Sequence, residues 1–268
     1  MVRVGLVGCG TIGSQLAGVI DRRYRRVARV VALNDCVPQQ AARLQRRLRS
    51  RPSICSLPQL IRTSRVVIEA ASADVAGEVV TRALRAHRDV VVMSVGGLLR
   101  DFSWARAARR SRGRLHIPSG ALAGIDGIRA MALGKIRRVR LITRKPPRAL
   151  VGAPYVRKRG LRLEHLTQPS IVFEGTARRV VQAFPQNTNV AAALALAAGV
   201  SPSRTQVRVI ADPTIRTNIH EIEVEGDCGR LRCQVQSEPS ANPKTSELAV
   251  RSSIATLQRL FEPVAIGT

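Results

Sequence analysis

The sequence predicts an α/β domain built on a parallel sheet, joined to a second α+β domain that carries a mostly antiparallel sheet. Three observations predict it. The chain opens on "MVRVGLVGCGTIGSQLAGVI", an apolar run that meets Gly8, Gly10 and Gly13 and continues at helical spacing. Up to about residue 117, continuous apolar runs alternate with amphipathic segments, the pattern of strands covered on both faces by helices. Later runs alternate with period two, as strands do when one face is solvated. The first domain is expected to span 1–117 and to be completed by 240–268, with 118–239 forming the second.

Taken in order, "VRVGLVG" is the first strand and "TIGSQLAGVIDRRY" the first helix. "VARVVALND" is a second strand that ends at Asp35, and a basic amphipathic helix covers about Gln39 to Arg49. "SLPQLI" reads as a short helix with Ser56 as its cap and Pro58 in its first turn. Then come "SRVVIEAAS" (strand), "ADVAGEVVTRALRAH" (helix) and "DVVVMSVGGLL" (strand). "PSGALAGIDGIRAMALG" is a small-residue loop entering a helix, and "RRVRLITRKPP" is a strand. "TARRVVQAFPQNTNVAAALALAAG" is a pair of helices broken at Pro185. "TQVRVIADP" and "NIHEIEVEGDCGRLRCQVQSEP" are strands, with "EGDCG" as a hairpin turn. "NPKTSELAVRSSIATLQRLF" is a closing amphipathic helix expected to pack on the first domain.

The glycines carry the first functional reading. "GCGTIG" follows a strand, opens a helix, and is followed by an acidic residue at the end of the second strand, which is the context a dinucleotide-binding turn requires. Gly8 permits the tight turn, Gly10 lets the backbone approach a pyrophosphate, and Gly13 lets helix and strand pack closely. The helix N-terminus adds donors and partial positive charge. Asp35 would accept hydrogen bonds from the adenosine ribose and disfavour a 2′-phosphate, so NAD is the expected cofactor. NADP stays open, because Arg22 and Arg23 could soften that rejection.

Composition limits the alternatives. A chain of 268 residues that is 45% hydrophobic is long enough to bury a core. Its opening apolar run is interrupted by glycines and does not resemble a secretion leader, and "NVAAALALAAGV" is too short to span a bilayer; a cytoplasmic protein is expected. Five scattered cysteines lack metal-site spacing, so no metal is expected, and reduced thiols are the default, with a Cys228–Cys233 pairing across the hairpin as the alternative. The net charge of +26 comes almost wholly from arginine, since only Lys135, Lys145, Lys158 and Lys244 are lysines. The arginines recur along the whole chain and aromatics are 3%, which favours a solvated basic surface with nonspecific polyanion binding over a dedicated nucleic-acid face.

In the second domain His220 sits in an alternating strand, where a histidine is ordinarily a packed or surface residue. The motifs around it say more. "GLVGCGTIG", "IEAAS", "SVGGL", "HIPSGALAGIDG", "TRKPP", "FEGTA", "FPQNTNVAAALALA", "IADPTIRTNIHEI" and "NPKTSELAV" occur in one order along the whole chain, and together they resemble the L-aspartate dehydrogenase family. The resemblance implies a Rossmann domain completed by the C-terminal helix, a central α+β domain, a homodimer, and oxidation of L-aspartate to iminoaspartate, the precursor used in NAD synthesis. It implies that His220 is the active-site histidine, that Asn189 and Ala123 contact the cofactor, and that Gly10, Thr11 and Ile12 form the pyrophosphate turn. Two departures stand out: the paired arginines of "TARRVV" and Thr188 in "NTN", both read as changes outside the chemistry.

Oxidising an α-amino acid requires a neutral amine, so a base must take a proton from the ammonium group, and histidine suits that role. His220 either takes that proton or activates the water that converts iminoaspartate to oxaloacetate and ammonia. Two substrate carboxylates call for cations or oriented donors. Lys244 is the first candidate, with Ser119, Gly120 and Asn187 as further substrate-binding positions. Ala71 and Ser72, where a parallel strand ends, are cofactor candidates, as Glu69 and Ser94 also could be. His87, His116 and His165 read as surface or structural. The alternatives are another amino-acid dehydrogenase or reductase of the same plan, like homoserine dehydrogenase or dihydrodipicolinate reductase, or a polyanion-binding protein that uses its arginine surface.

Overall fold

The computed structural model describes residues 1–185, 189–240, 246–264 and 266. Two compact units divide the chain: Met1–Pro118 with Ser253–Ala265, and a second built on Ser119–Ser252.

The first unit runs β1 (Val2–Val7), α1 (Thr11–Arg23), β2 (Ala28–Asn34), α2 (Pro38–Arg47), β3 (Ser53–Ile54), α3 (Leu57–Thr63), β4 (Val66–Glu69), α4 (Ala76–Arg85), β5 (Asp89–Val92), α5 (Ser103–Arg110) and β6 (Leu115–His116). Its sheet has the order β3-β2-β1-β4-β5-β6, with every pairing parallel. Val4–Val7 and all of β4 are buried, as strands between two helical layers must be. α1 buries Gly13, Leu16, Ala17 and Ile20, one stripe of a helix laid on the sheet. The strand order reverses beside β1, which has β2 on one side and β4 on the other; ligands of such sheets bind outside the carboxyl ends at that point.

The second unit runs α6 (Ile125–Met131), β7 (Ile136–Lys145), α7 (Pro154–Lys158), β8 (Ser170–Thr176), α8 (Ala177–Ala183), α9 (Asn189–Ala197), β9 (Thr205–Ala211), β10 (Asn218–Gly226) and β11 (Gly229–Ser237). Its sheet has the order β11-β10-β7-β9-β8 and is antiparallel except where β7 pairs with β9. Period two is explicit in burial: Val139, Leu141, Thr143 and Lys145 of β7 are buried, and so are Asn218, His220, Ile222 and Val224 of β10. The alternate residues form cross-strand ion pairs, Arg144–Glu221 at 3.4 Å, Arg232–Glu223 at 3.2 Å and Arg230–Glu225 at 2.7 Å. Tyr155, Phe173 and Phe184 pack with ring centroids 5.4–5.7 Å apart. The last helix, α10 (Glu247–Phe261), belongs to the first unit from Ser253 onward, where Leu257 is fully buried in the β1–α1–β2 core and Ile254, Leu260 and Phe261 pack against it.

The structure differs from the sequence reading in three places. The strand at "DVVVMSVGGLL" stops at Val92, and Val95–Leu99 is a single 3-10 turn; a Cβ on Gly97 would press on the backbone of Ala73. Ser56 occupies the N-cap of α3 but its side chain makes no capping bond. The small-residue loop enters a helix as expected: Gly120 and Gly124 adopt positive φ (66° and 71°), and α6 begins at Ile125. β3, α5, β6, α7 and β8 are short or irregularly patterned and were not anticipated.

Candidate active site

The glycine turn is built as its spacing requires. Gly8 has φ +91°, and a Cβ there would lie 2.5 Å from the Ala70 carbonyl carbon. A Cβ on Gly13 would run into the carbonyl oxygen of Gly8, so only glycine lets α1 lie this close to β1. Over Gly10 the space is open: a Cβ would meet nothing nearer than Gln40 Oε1 at 3.7 Å. The N-cap of α1 has no side-chain cap and its first turn has no acidic residue, so the helix end is left for an anion. Asp35 fixes the rim, because its carboxylate accepts from the backbone N–H of Cys9 (2.6 Å) and of Val37 (2.7 Å). Each carboxylate oxygen retains a further acceptor site for a ribose hydroxyl.

A cavity of about 440 Å³ at the carboxyl ends of β1, β2 and β4 is walled by Gly8, Gly10, Asp35, Ala71 and Ser72, bringing five of the expected cofactor residues together. Thr11 is exposed on a neighbouring groove that shares Gly10, whereas Ile12 packs against the core and offers only its backbone. These residues fit a dinucleotide. Cys9 inside the turn is inert: burial first, then the Asp35 charge, pushes its thiol up to about 12.

Glu69 is engaged by its own loop. It is fully buried and its carboxylate accepts from the Ala71 N–H (2.9 Å), the Ser94 N–H (3.0 Å) and the Ser94 hydroxyl (3.0 Å). Burial holds its proton affinity above the usual carboxylate range. Glu69 and Ser94 thus shape the loop that presents Ala71 and Ser72.

In the second unit the buried face of the sheet gathers three polar residues. His220 on β10 is paired in register with Thr143 on β7, and its Nδ1 lies 2.7 Å from the Thr143 hydroxyl. Lys145, two residues further along the same face of β7, is 4% exposed and His220 is 3% exposed. Burial, and then the Lys145 charge, lowers the imidazole to about 3; burial lowers the Lys145 ammonium to about 8. At neutral pH the face therefore holds a neutral imidazole beside a cation. In the tautomer whose Nδ1–H donates to the Thr143 hydroxyl, Nε2 is the proton acceptor.

Sequence reading named His220 and missed its two companions. Their signal was parity: in a strand whose buried side is Val139, Leu141, Thr143 and Lys145, the last two are polar. Asn189 begins α9, Ala123 is exposed in the loop before α6, and Ser119 and Gly120 precede it in that loop. Asn187 and Lys244 lie outside the described residues. His87 has positive φ and its Nδ1 accepts from the Arg112 N–H, a structural role. All five cysteines are free thiols. Among the described residues no three His, Cys, Asp or Glu side chains cluster as a metal site, and no helix is long and apolar enough to cross a membrane.

Residues 126–260 match the family described as aspartate dehydrogenase, C-terminal, and residues 8–118 that described as homoserine dehydrogenase, NAD binding domain. The chain is 44% identical to L-aspartate dehydrogenase of Methanosarcina barkeri, with 100% of both chains covered. The chain belongs to the L-aspartate dehydrogenase family. A second member, from Bradyrhizobium diazoefficiens, is 38% identical, with 100% of this chain and 94% of the relative covered. The aspartate dehydrogenase fold known from Thermotoga maritima covers 100% of both chains with a TM-score of 0.74 at 21% identity. More distantly, scyllo-inositol dehydrogenase from Lactobacillus casei shares the fold at a TM-score of 0.56 and 11% identity, over 100% of this chain and 90% of that one. The first unit is thus a Rossmann-type NAD-binding domain, and the histidine face stands on the part that matches the aspartate dehydrogenase family.

Proposed function

We propose that this chain oxidises L-aspartate to iminoaspartate with NAD, the imine then yielding oxaloacetate and ammonia, and that it supplies the imine for NAD synthesis. The observation that carries the reading is the buried His220–Thr143 pair, in a chain that also holds a dinucleotide turn. Gly8, Gly10, Thr11, Ile12 and Gly13 hold the pyrophosphate, Asp35 the adenosine ribose, and Ala71, Ser72, Ala123 and Asn189 the rest of the dinucleotide. When bound, the nicotinamide accepts the α-hydrogen of the substrate with its electron pair.

The chain's own residues supply the proton chemistry. Thr143 holds the imidazole, and His220 Nε2 takes the proton from the substrate ammonium, freeing the nitrogen lone pair. Alternatively, His220 stays neutral through the oxidation and Nε2 takes its proton from the water that attacks the imine, releasing it to solvent as oxaloacetate and ammonia leave. Lys244, Ser119, Gly120 and Asn187 bind the substrate carboxylates. Asp35 favours NAD, with NADP admitted less well. A cytoplasmic homodimer completes the reading.

The test is reduced-nicotinamide formation with L-aspartate against a panel of amino acids, including homoserine, with NAD and NADP each supplied. Aspartate-specific turnover is expected, and turnover of another amino acid in its place overturns the reading. His220→Ala is expected to lower kcat by about 10²–10⁴-fold with NADH affinity unchanged. Unchanged turnover would remove His220 from the chemistry.

A further inference from the structure

The His220 face carries a fourth polar residue that the mechanism above does not use. Asn218 begins β10, two residues before His220, so its side chain shares the buried face and stands about 7 Å along it. It is 2% exposed, and among the described residues its side-chain amide makes no hydrogen bond. The polar groups around it are otherwise engaged. Ser237, its partner in register on β11, bonds the Glu238 carbonyl and the Leu248 N–H, each at 3.4 Å. The Thr143 hydroxyl is taken by His220 at 2.7 Å, and Thr217 accepts from Gln236 Nε2 at 3.1 Å. The strand does not need an amide on this face, since Ile222 and Val224 occupy the positions beyond His220. A buried amide without a partner costs stability, so its presence calls for a task.

We propose that Asn218 is a substrate-binding residue, its side-chain amide donating to one carboxylate of the amino acid whose nitrogen faces His220. This rests on the aspartate reading given above. The spacing suits an amino acid, in which the nitrogen and a carboxylate hang on one carbon. A carboxylate held one strand period from the imidazole leaves the amine within reach of Nε2. An amide suits the chemistry as well. It offers two N–H donors, which a carboxylate requires, and it adds no charge beside the imidazole, so His220 stays available as a base. The seated carboxylate gives the buried amide the partner that the free face lacks, and a hydrogen bond to a charged acceptor is among the stronger ones.

The experiment compares wild type with Asn218→Leu, Asn218→Ala and Asn218→Asp. It measures aspartate KM and kcat, calorimetric binding of succinate (a dicarboxylate without the amine) to the NADH complex, NADH affinity, and Tm. In Asn218→Leu the aspartate KM and the succinate Kd are expected to rise about 10–100-fold, the loss of one hydrogen bond to a charged acceptor. NADH affinity is expected to stay unchanged and kcat to change far less than KM. The Tm of Asn218→Leu is expected to match or exceed that of wild type, because an apolar side chain of similar size replaces an unpaired buried amide. Asn218→Asp is expected to raise KM and Kd further, through repulsion between like charges. Should leucine not fit, Asn218→Ala gives the same comparison without added volume. Wild-type-like KM and Kd in either apolar variant overturn the proposal, and so does a Tm lowered in both, which would mark a structural amide. If wild type itself neither turns over aspartate nor binds succinate, the aspartate reading has failed and this inference with it.

Discussion

At the scale of single residues, the second unit is organised around charges held away from water. His220 is buried in its neutral form, so the unfolded chain gains a proton at about 6.5 that the folded chain refuses until about 3. The sign follows: between those values the unfolded state binds more protons, and stability falls as the pH drops from 6.5 toward 3. Across the full window the loss approaches about 5 kcal/mol at roughly 1.4 kcal/mol per unit. Urea unfolding of wild type and His220→Gln over that range checks it; the stability difference between them should shift in favour of the variant as the pH falls. Lys145 behaves alike at the alkaline end, its burial penalty being complete below about pH 8 and relieved as the pH rises to 10.5. Glu69 shows the other outcome for a buried charge: three donors from the Ala71 and Ser94 segments surround its carboxylate, and its task is to hold a loop.

At the scale of elements, glycines and parity decide what each segment can do. α1 approaches β1 only because Gly13 has no side chain to strike the Gly8 carbonyl, and that approach brings the helix N-terminus to the mouth of the cavity. β7 and β10 place Thr143, Lys145 and His220 on one face because strand side chains alternate. α10 is secured to the first unit by Leu257, which is fully buried. Leu257→Ala should therefore cost about 2–5 kcal/mol of first-unit stability. The expected outcome is a lower Tm, largely restored by saturating NADH, since a ligand that binds the folded state stabilises it. An unchanged Tm would mean that α10 contributes little to that core.

At the scale of the whole molecule the dominant fact is the net charge of +26. Much of it sits on exposed faces of α1, α2, α4 and α5, whose last turns carry pairs of arginines that also complement the helix dipoles. The ion pairs that do form, such as Arg82–Glu78 and Arg251–Glu247, are surface pairs at helical spacing worth about 0.3–0.5 kcal/mol each. Such a surface should retain the protein on a polyanion resin at low salt and release it as salt rises, by counterion release. Turnover of aspartate should change far less over the same range, because the buried histidine face is poorly screened. Loss of turnover in step with release from the resin would tie the basic surface to the chemistry.

The amino-acid sequence by itself determined the class of each half and the cofactor. Continuous apolar runs, a glycine turn between strand and helix, and an acid at the end of the next strand are local patterns, and each follows from backbone sterics and periodicity. His220 was legible too, through the motif around it. Short elements such as β3 and β6 were not, because two paired residues carry no period. Tertiary structure alone decided which polar residues share a buried face. Thr143 and His220 are 77 positions apart and meet only through the β7–β10 register, and the charge of Lys145 matters because that face excludes water. The burial of Glu69 is equally tertiary: it depends on a loop after β5 closing over the end of β4.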